Sequence, residues 1–285
     1  SAEERKFSFG ESSVFLINTR ENKLIEVQVK AIQLQNKFLS TKAKLFNSEV
    51  IECVDGSGKK GVLKDACTAV LKAWSNDPSS YYACGSTIGP YPFPRIVQFA
   101  QSVIGREIKK QILEKENRLP DMIIACIGGG SNLMGAIHEF LDDKEVSLIG
   151  VEAKDSAALS FGSTGIMQGF KSEMLQTPDG SATLPTSSLA SGINFYSAGP
   201  EHAYLKKIGR VKYTYASDEA AFDAFQTLCK TEGILPAFEP SFALAIAMKE
   251  AKKHKKDHLL VCNICGRGDK DIDMAEKMLG DKLGK

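Results

Sequence analysis

The stretch MIIACIGGGSN, Met122 to Asn132, holds the first residues whose types and spacing suggest chemistry. An apolar run ends in Gly128, Gly129 and Gly130, followed by Ser131 and Asn132. Glycines let a backbone approach a ligand closely, and the start of a following helix presents N–H groups without intrahelical acceptors. Consecutive amides aimed into one space suit an anion, most naturally a phosphate. Ser131 can add a hydroxyl and Asn132 an amide. The loop is not a P-loop, because no GK[ST] follows. It also fits a dinucleotide fingerprint poorly: Gly128, Gly130 and Gly135 are not spaced as G-x-G-x-x-G, and Glu152 only comes close to the expected acidic position. From this loop alone, a phosphate site and a tight structural turn both remain open.

A second loop, CNICGRGDKD, begins at Cys262. With His254 and His258 upstream, Cys262 and Cys265 make the spacing H-x3-H-x3-C-x2-C, which resembles a zinc ligand set. The context argues against zinc and against a dithiol pair of Cys262 with Cys265. Leu259 to Ile264 is apolar and strand-like, so its side chains alternate between faces, and a charged helix precedes it. His138 and His202 read as structural. The run MKEAKKHKKDH reads as the solvated face of a helix.

These loops must be held by something, and the bulk composition says what kind of scaffold is available. The chain has 285 residues, 25% charged and 43% hydrophobic, with a net charge of +1. That is ordinary globular composition with length for a large core. No basic excess marks a nucleic-acid or anionic-membrane partner. No apolar run approaches the roughly 20 residues of a bilayer span, and SAEERKFSFGESS lacks the apolar middle of a signal peptide. The seven cysteines, an odd number, fall mostly in apolar runs, as Cys53, Cys84, Cys126 and Cys262 do. Small hydrophobes in a reducing compartment behave this way, so a cytoplasmic protein is expected.

Strand patterns alternate with helix patterns. SSVFLINT, SEVIECV, SYYAC, DMIIACI, VSLIGVEA, VKYTYA and HLLVCNIC read as strands. KAIQLQNKFLSTKAKLF and LKDACTAVLKAW read as helices, as do LMGAIHEFL and the last element, in GRGDKDIDMAEKML. A long helix is expected from Arg95 to Arg118, just after Pro94. Another is expected over Asp218–Glu232, with Ser217 as N-cap and Gly233 as stop, and a third over Pro240–Lys253. Lys154 to Gly199 shows little periodicity and reads as a long functional loop. The alternation predicts an α/β fold: a parallel sheet flanked by helices, with ligands beyond the carboxyl ends of the strands. Both conspicuous loops follow strands there.

Several stretches together resemble the tryptophan synthase β chain family: DMIIACIGGGSNLMGAIHEF with VSLIGVEA, GPYPFPRIVQFAQSVIGREIKKQILEKENRLPD, MLQTPDG, SAGPEHAYLKKIGRVKYTYASDEAAFDAFQTLCKTEGILPAFEPSFALA, and NICGRGDKDID. The match runs in order from about Asn47 to about Gly280. The resemblance implies a fold-type-II enzyme using pyridoxal 5′-phosphate, which replaces the hydroxyl of L-serine with indole to give L-tryptophan. It implies that the backbone of Gly128 to Asn132 holds the cofactor phosphate, with Ser86 contributing from CGSTIGP. Cys265 stands where the family usually has a serine opposite the pyridine nitrogen. A thiol is the weaker hydrogen-bonding group, so altered tuning is expected. Glu239 matches a family carboxylate near the ring, and reads equally well as a satisfied buried acid.

The chain also departs from the family. Asn194 replaces the aspartate that helps position the serine substrate. Met167 and Gln168 replace the aromatic pair near the indole tunnel. A monovalent cation site would fall on the backbone carbonyls of Gly128, Phe195 and Ser197. The family's lysine motif HK-x-N and the glutamate before GAGQHG do not occur in this sequence; its only His-Lys pair is His254-Lys255. The resemblance therefore implies the C-terminal portion of a β chain, with a partial N-terminal domain including the lid subdomain over 1–100 and the phosphate-binding domain over 101–285. It also implies a homodimer and an α-subunit partner. A non-catalytic cofactor- or partner-binding remnant is the alternative, and a related serine or cysteine lyase is a second.

Overall fold

The computed structural model describes residues 14–15, 44–47, 49, 51, 53, 63–77 and 79–283. They divide between two compact units.

One unit contains Val14 and Phe15 with residues 84–266. Its strands are β1 (Val14–Phe15), β2 (Met122–Cys126), β3 (Ser147–Ala153), β4 (Ser163–Met167), β5 (Phe170–Met174), β6 (Lys212–Ala216) and β7 (Leu260–Cys262). Five of them form one sheet in the order β1-β7-β2-β3-β6. Every pairing in it is parallel, with Ile124 opposite Cys262 and Cys126 opposite Val151. From β2 the chain steps outward through β3 to β6, then returns to the other side of β2 as β7. The gap between the ends of β2 and β7 is therefore the switch point of the sheet, where such folds place their ligands.

A parallel sheet needs apolar cover on both faces, and the sequence supplies it. Ile123 and Ala125 of β2, Leu148 of β3 and Val261 of β7 share one buried cluster. Helices cover them: Phe93–Gln101, Val103–Glu116, Ser131–Ile137 and Pro200–Lys207 lie in this unit, and Ile108, Ile112, Leu133, Met134 and Leu205 belong to the same cluster. Strand alternation turns Ile124, Cys126 and Cys262 to the other face. That face meets the apolar helix Phe238–Ala251, which contacts four of the strands and packs on helix Asp218–Glu232. Phe222, Phe225 and Phe238 pack together there, with ring centroids 5.0 to 6.2 Å apart.

The second unit takes in the described residues from 44 to 83 and 267 to 283. It includes helices Leu63–Asn76 and Ile272–Leu283, and the Trp74 and Tyr82 rings lie 5.8 Å apart. Among the described residues, no helix is long and apolar enough to cross a membrane.

The structure departs from the sequence reading at several elements. The helix expected over Arg95–Arg118 is two, broken at Ser102, whose hydroxyl donates to the Phe99 carbonyl at 2.8 Å; such back-bonding bends helices. SYYAC is irregular. Of SEVIECV only Glu49, Ile51 and Cys53 are described, none in a strand; of SSVFLINT only Val14 and Phe15 are described, as a strand. KAIQLQNKFLSTKAKLF lies outside the described residues apart from its last three. The supposed long loop from Lys154 contains the short helix Ala158–Phe161 and an antiparallel hairpin of β4 with β5. Gln168 (φ 51°) and Gly169 (φ 81°) turn that hairpin, two left-handed residues as a tight two-residue turn requires.

Candidate active site

β2 ends at Cys126, and the chain turns through Gly128–Gly130 into helix Ser131–Ile137. Each glycine is pressed against a different segment. A Cβ on Gly128 would lie 2.7 Å from the Ile193 Cα; one on Gly129 would collide with the Ser86 hydroxyl; one on Gly130 would collide with the His202 ring. Gly130 also has φ 115°, a conformation that L side chains rarely adopt.

The loop's carbonyls are drawn backwards. The Gly129 carbonyl accepts from the Gly199 amide at 2.9 Å and the Thr87 hydroxyl at 3.2 Å. The Gly130 carbonyl accepts from the Met134 amide at 2.9 Å and from His202 Nε2 at 2.8 Å. That bond fixes the His202 tautomer: Nε2 carries the proton, so Nδ1 accepts from the Tyr213 hydroxyl at 2.9 Å. Burial pushes the His202 pKa down to about 4, so the imidazole is neutral. Among the described residues, none of the amides from Gly128 to Asn132 donates to a backbone carbonyl outside helices and strands. Gly128, Gly129, Ser131, Asn132 and Ser86 are all half-buried, reachable yet sheltered.

The neighbouring strand end is tied to this loop. The Asn263 amide N–H donates to the Ile124 carbonyl at 2.9 Å, continuing the ladder past β7. The Asn263 side chain donates to Asn132 Oδ1 at 2.8 Å, and Asn132 Nδ2 donates to the Cys126 carbonyl at 3.2 Å. The Asn132 side chain thus braces the two loops, and only its backbone N–H is left for a ligand. Cys265, half-buried, brings its sulfur to 3.7 Å from that of Cys126. The Cys265 contact and burial push the Cys126 thiol well above its ordinary range. Glu239, at the start of its helix, accepts from the Gly192 amide at 2.9 Å. The segment carrying Asn194, Phe195 and Ser197 runs alongside Gly128 and Gly129. Asn194 Oδ1 is buried and, among the described residues, has no hydrogen-bond partner.

Other candidates lie elsewhere. His254 and His258 stack at 3.8 Å before β7, whereas Cys262 and Cys265 lie at and beyond its far end. Burial pushes Glu152 up to about 7, but its carboxylate is occupied: it accepts from the Leu159 and Ser160 amides at 2.7 and 2.9 Å and from the Ser160 hydroxyl at 2.7 Å. It caps a short helix and faces no ligand loop. His138 shares a hydrogen bond with Gln98 at 2.9 Å. Met167 ends β4 beside the hairpin turn. Sequence reasoning missed Thr87, Asn263 and the role of His202; only a fold that brings residues 87, 130, 199 and 202 together reveals it.

A parallel α/β sheet with a glycine loop and a helix start at its switch point is the architecture in which ligands sit beyond the carboxyl ends of the strands. The chain belongs to the pyridoxal-phosphate dependent enzyme family, whose model matches residues 39–266. It is similar to the tryptophan synthase beta chain of Dinoroseobacter shibae, 44% identical over 250 residues, which cover 84% of this chain and 60% of that one. The chain thus spans less than two thirds of that relative's length. Among solved structures it is similar in fold to a fungal L-serine ammonia-lyase from Rhizomucor miehei, with a TM-score of 0.50 and 19% identity over 66% of this chain and 56% of that one.

The residues present fit the family's cofactor at its phosphate end. The glycine loop packs so closely on its neighbours that no side chain fits there, its carbonyls at Gly129 and Gly130 are taken, its amides donate to no backbone carbonyl outside helices and strands among the described residues, and the Ser86 hydroxyl stands beside Gly129. Cys265 and Glu239, which the family resemblance assigns to the ring end, lie in this same unit, Cys265 beside Cys126 and Glu239 against Gly192.

Proposed function

We propose that this chain carries the phosphate-holding part of a cytoplasmic enzyme of the tryptophan synthase β type, which replaces the hydroxyl of L-serine with indole. The observation that carries the reading is the glycine loop from Gly128 to Asn132, half-buried except at Gly130, with Ser86 against Gly129 and the end of the neighbouring strand tied to it through Asn263. The resemblance to the Dinoroseobacter protein supports the substrate pair. Bound pyridoxal phosphate supplies an electron sink for the amino acid's α-carbon.

The chain's own residues bind and orient. The amides of Gly128–Asn132 and the Ser86 hydroxyl hold the phosphate. Asn132 and Asn263 fix the distance from that cradle to the ring end. Cys265 would stand opposite the ring nitrogen as a weak hydrogen-bonding group in place of a carboxylate, which would favour an unprotonated ring. The unpartnered Asn194 Oδ1 offers an acceptor to the serine substrate. Glu239, held by Gly192, borders the ring, and the carbonyls of Gly128, Phe195 and Ser197 offer a monovalent cation site. Tyr91, Ile96, Phe99 and Val103 are exposed apolar side chains, which supports a homodimer; an α subunit is the further partner of this reading.

The test is a pyridoxal phosphate titration by equilibrium dialysis and absorbance, then borohydride reduction and peptide mapping. Saturable binding that inorganic phosphate competes away is expected. Ser86→Asp, by placing a carboxylate against the phosphate, weakens binding at least about tenfold. Binding indifferent to both would overturn the reading. A stoichiometric adduct on one lysine would show that the chain supplies its own cofactor-linking residue.

A further inference from the structure

Cys126 and Cys265 are 139 residues apart in sequence, yet their sulfurs lie 3.7 Å apart at the switch point. The register brings them together: β2 and β7 pair directly, Cys126 is the last residue of β2, and Cys265 follows β7 by three residues. Both are free thiols. Cys126 is fixed from behind, because Asn132 Nδ2 lies 3.3 Å from its sulfur and Asn132 is itself held by Asn263. Cys265 precedes Gly266, a left-handed glycine in an exposed loop, and so sits at the more yielding end of the pair. A disulfide needs sulfurs about 2.05 Å apart, so closure asks for a shift of roughly 1.7 Å.

The two thiols also differ in access. Cys126 is 2% exposed, whereas Cys265 is half-buried. An oxidant from solvent meets Cys265 first, and the Cys126 sulfur lies within 3.7 Å of it.

We propose that Cys126 and Cys265 form a reversible disulfide, with a hydroperoxide as the oxidant. The Cys265 sulfur attacks the peroxide O–O bond, which breaks; the distal oxygen stays on sulfur as a sulfenic acid, and an alcohol or water leaves. The Cys126 sulfur then displaces that oxygen as water, forming the S–S bond. Two thiols lose two electrons and two protons, and the peroxide takes up both. A dithiol reverses the step by exchange. The disulfide needs nothing from the cofactor. Its consequence rests on the reading above: bond formation withdraws Cys265 from the ring nitrogen, and bound cofactor shields Cys265 from peroxide.

The experiment treats the purified protein with hydrogen peroxide, with and without pyridoxal phosphate, alkylates the remaining thiols, and maps peptides by mass spectrometry. The expected product joins the Cys126 and Cys265 peptides, two hydrogens lighter than their sum. Dithiothreitol removes it, and Cys265→Ser lacks it while keeping the parent circular dichroism. In Cys126→Ala, Cys265 instead proceeds to the sulfinic acid. A dominant Cys262–Cys265 link, or Cys265 over-oxidised beside an unreacted Cys126 in the parent protein, overturns the proposal. A link that forms in full whether or not pyridoxal phosphate is present leaves the disulfide standing and removes the cofactor reading of Cys265.

Discussion

The two ends of the sheet differ in how they treat polar groups. At the amino end, Arg118, Asp121, Lys253, His254, Lys255, Asp257 and His258 line a cavity of about 570 Å³. Several of its charges are already paired: Arg118 meets Asp121 at 2.9 Å, and Lys253 meets Glu250, outside the lining, at 2.7 Å. Burial alone would raise the Asp121 pKa, but the Leu259 amide and Arg118 outweigh it, and the carboxyl sits below its ordinary value. At the carboxyl end there is less charge. There the carbonyls are tied back by Thr87, Gly199 and His202, and the amides are left over. The amino end is the more charged opening, yet the carboxyl end is where, among the described residues, amides stay unpaired with backbone carbonyls. What matters is which groups still lack partners after the fold has formed.

The largest effect is expected from a side chain placed in the glycine loop. Gly130→Val puts a branched side chain into the His202 ring at φ 115°, where it has no relaxed conformation. It should cost at least about 3 kcal/mol in urea denaturation and abolish pyridoxal phosphate binding.

Next in size is a pair of opposed pH effects. His202 is depressed to about 4 in the folded protein, below its unfolded value of 6.5. Its contribution to stability is present above 6.5 and is lost as pH falls toward 4. Glu152 is raised to about 7 from 4.5. Its contribution is fully present below 4.5 and is lost as pH rises through 7. Between pH 5 and 6 the folded protein keeps a proton on Glu152 and the unfolded chain keeps one on His202, so the two slopes cancel. Relative to the parent, His202→Gln should therefore lose about 1.4 kcal/mol of stability per pH unit on going from 5 to 6, and Glu152→Gln should gain about as much. Denaturant midpoints at three pH values test this; parallel curves for all three proteins would refute both assignments.

The smallest effect belongs to the amino end. Lys253→Ala removes half of an exposed ion pair and should change stability by less than about 0.5 kcal/mol. Cofactor affinity should not move. A change in affinity would mean that the two ends of the sheet are coupled.

How much of this was legible in the sequence depended on the range of the forces involved. Helix Asp218–Glu232 was legible to the residue, because local chemistry decides it: the Ser217 hydroxyl accepts from the Ala220 amide, and Gly233 ends the helix at φ 67°. The buried strands over Met122–Cys126 and Ser147–Ala153 were legible as apolar runs. The kink at Ser102 was not, since no glycine or proline marks it. The β4–β5 hairpin escaped because its outer strand is mostly exposed and Gln-Gly is a faint turn signal. At the site, the glycine loop announced itself, and the family resemblance pointed to Ser86, Glu239 and Cys265. The brace of Asn132 with Asn263, the His202 anchor and the facing of Cys126 by Cys265 join residues from distant parts of the chain, and only the parallel register brings them together.

The three glycines bear on how such a chain would change over generations. Each is a contact surface for a different neighbour: Ile193, Ser86 and His202. A mutation there injures folding before it injures ligand binding, so selection for a folded chain would preserve the triplet even in a descendant that had abandoned its ligand. The amides would persist with it, ready to be recruited again, and the motif would outlive the chemistry that first made it useful.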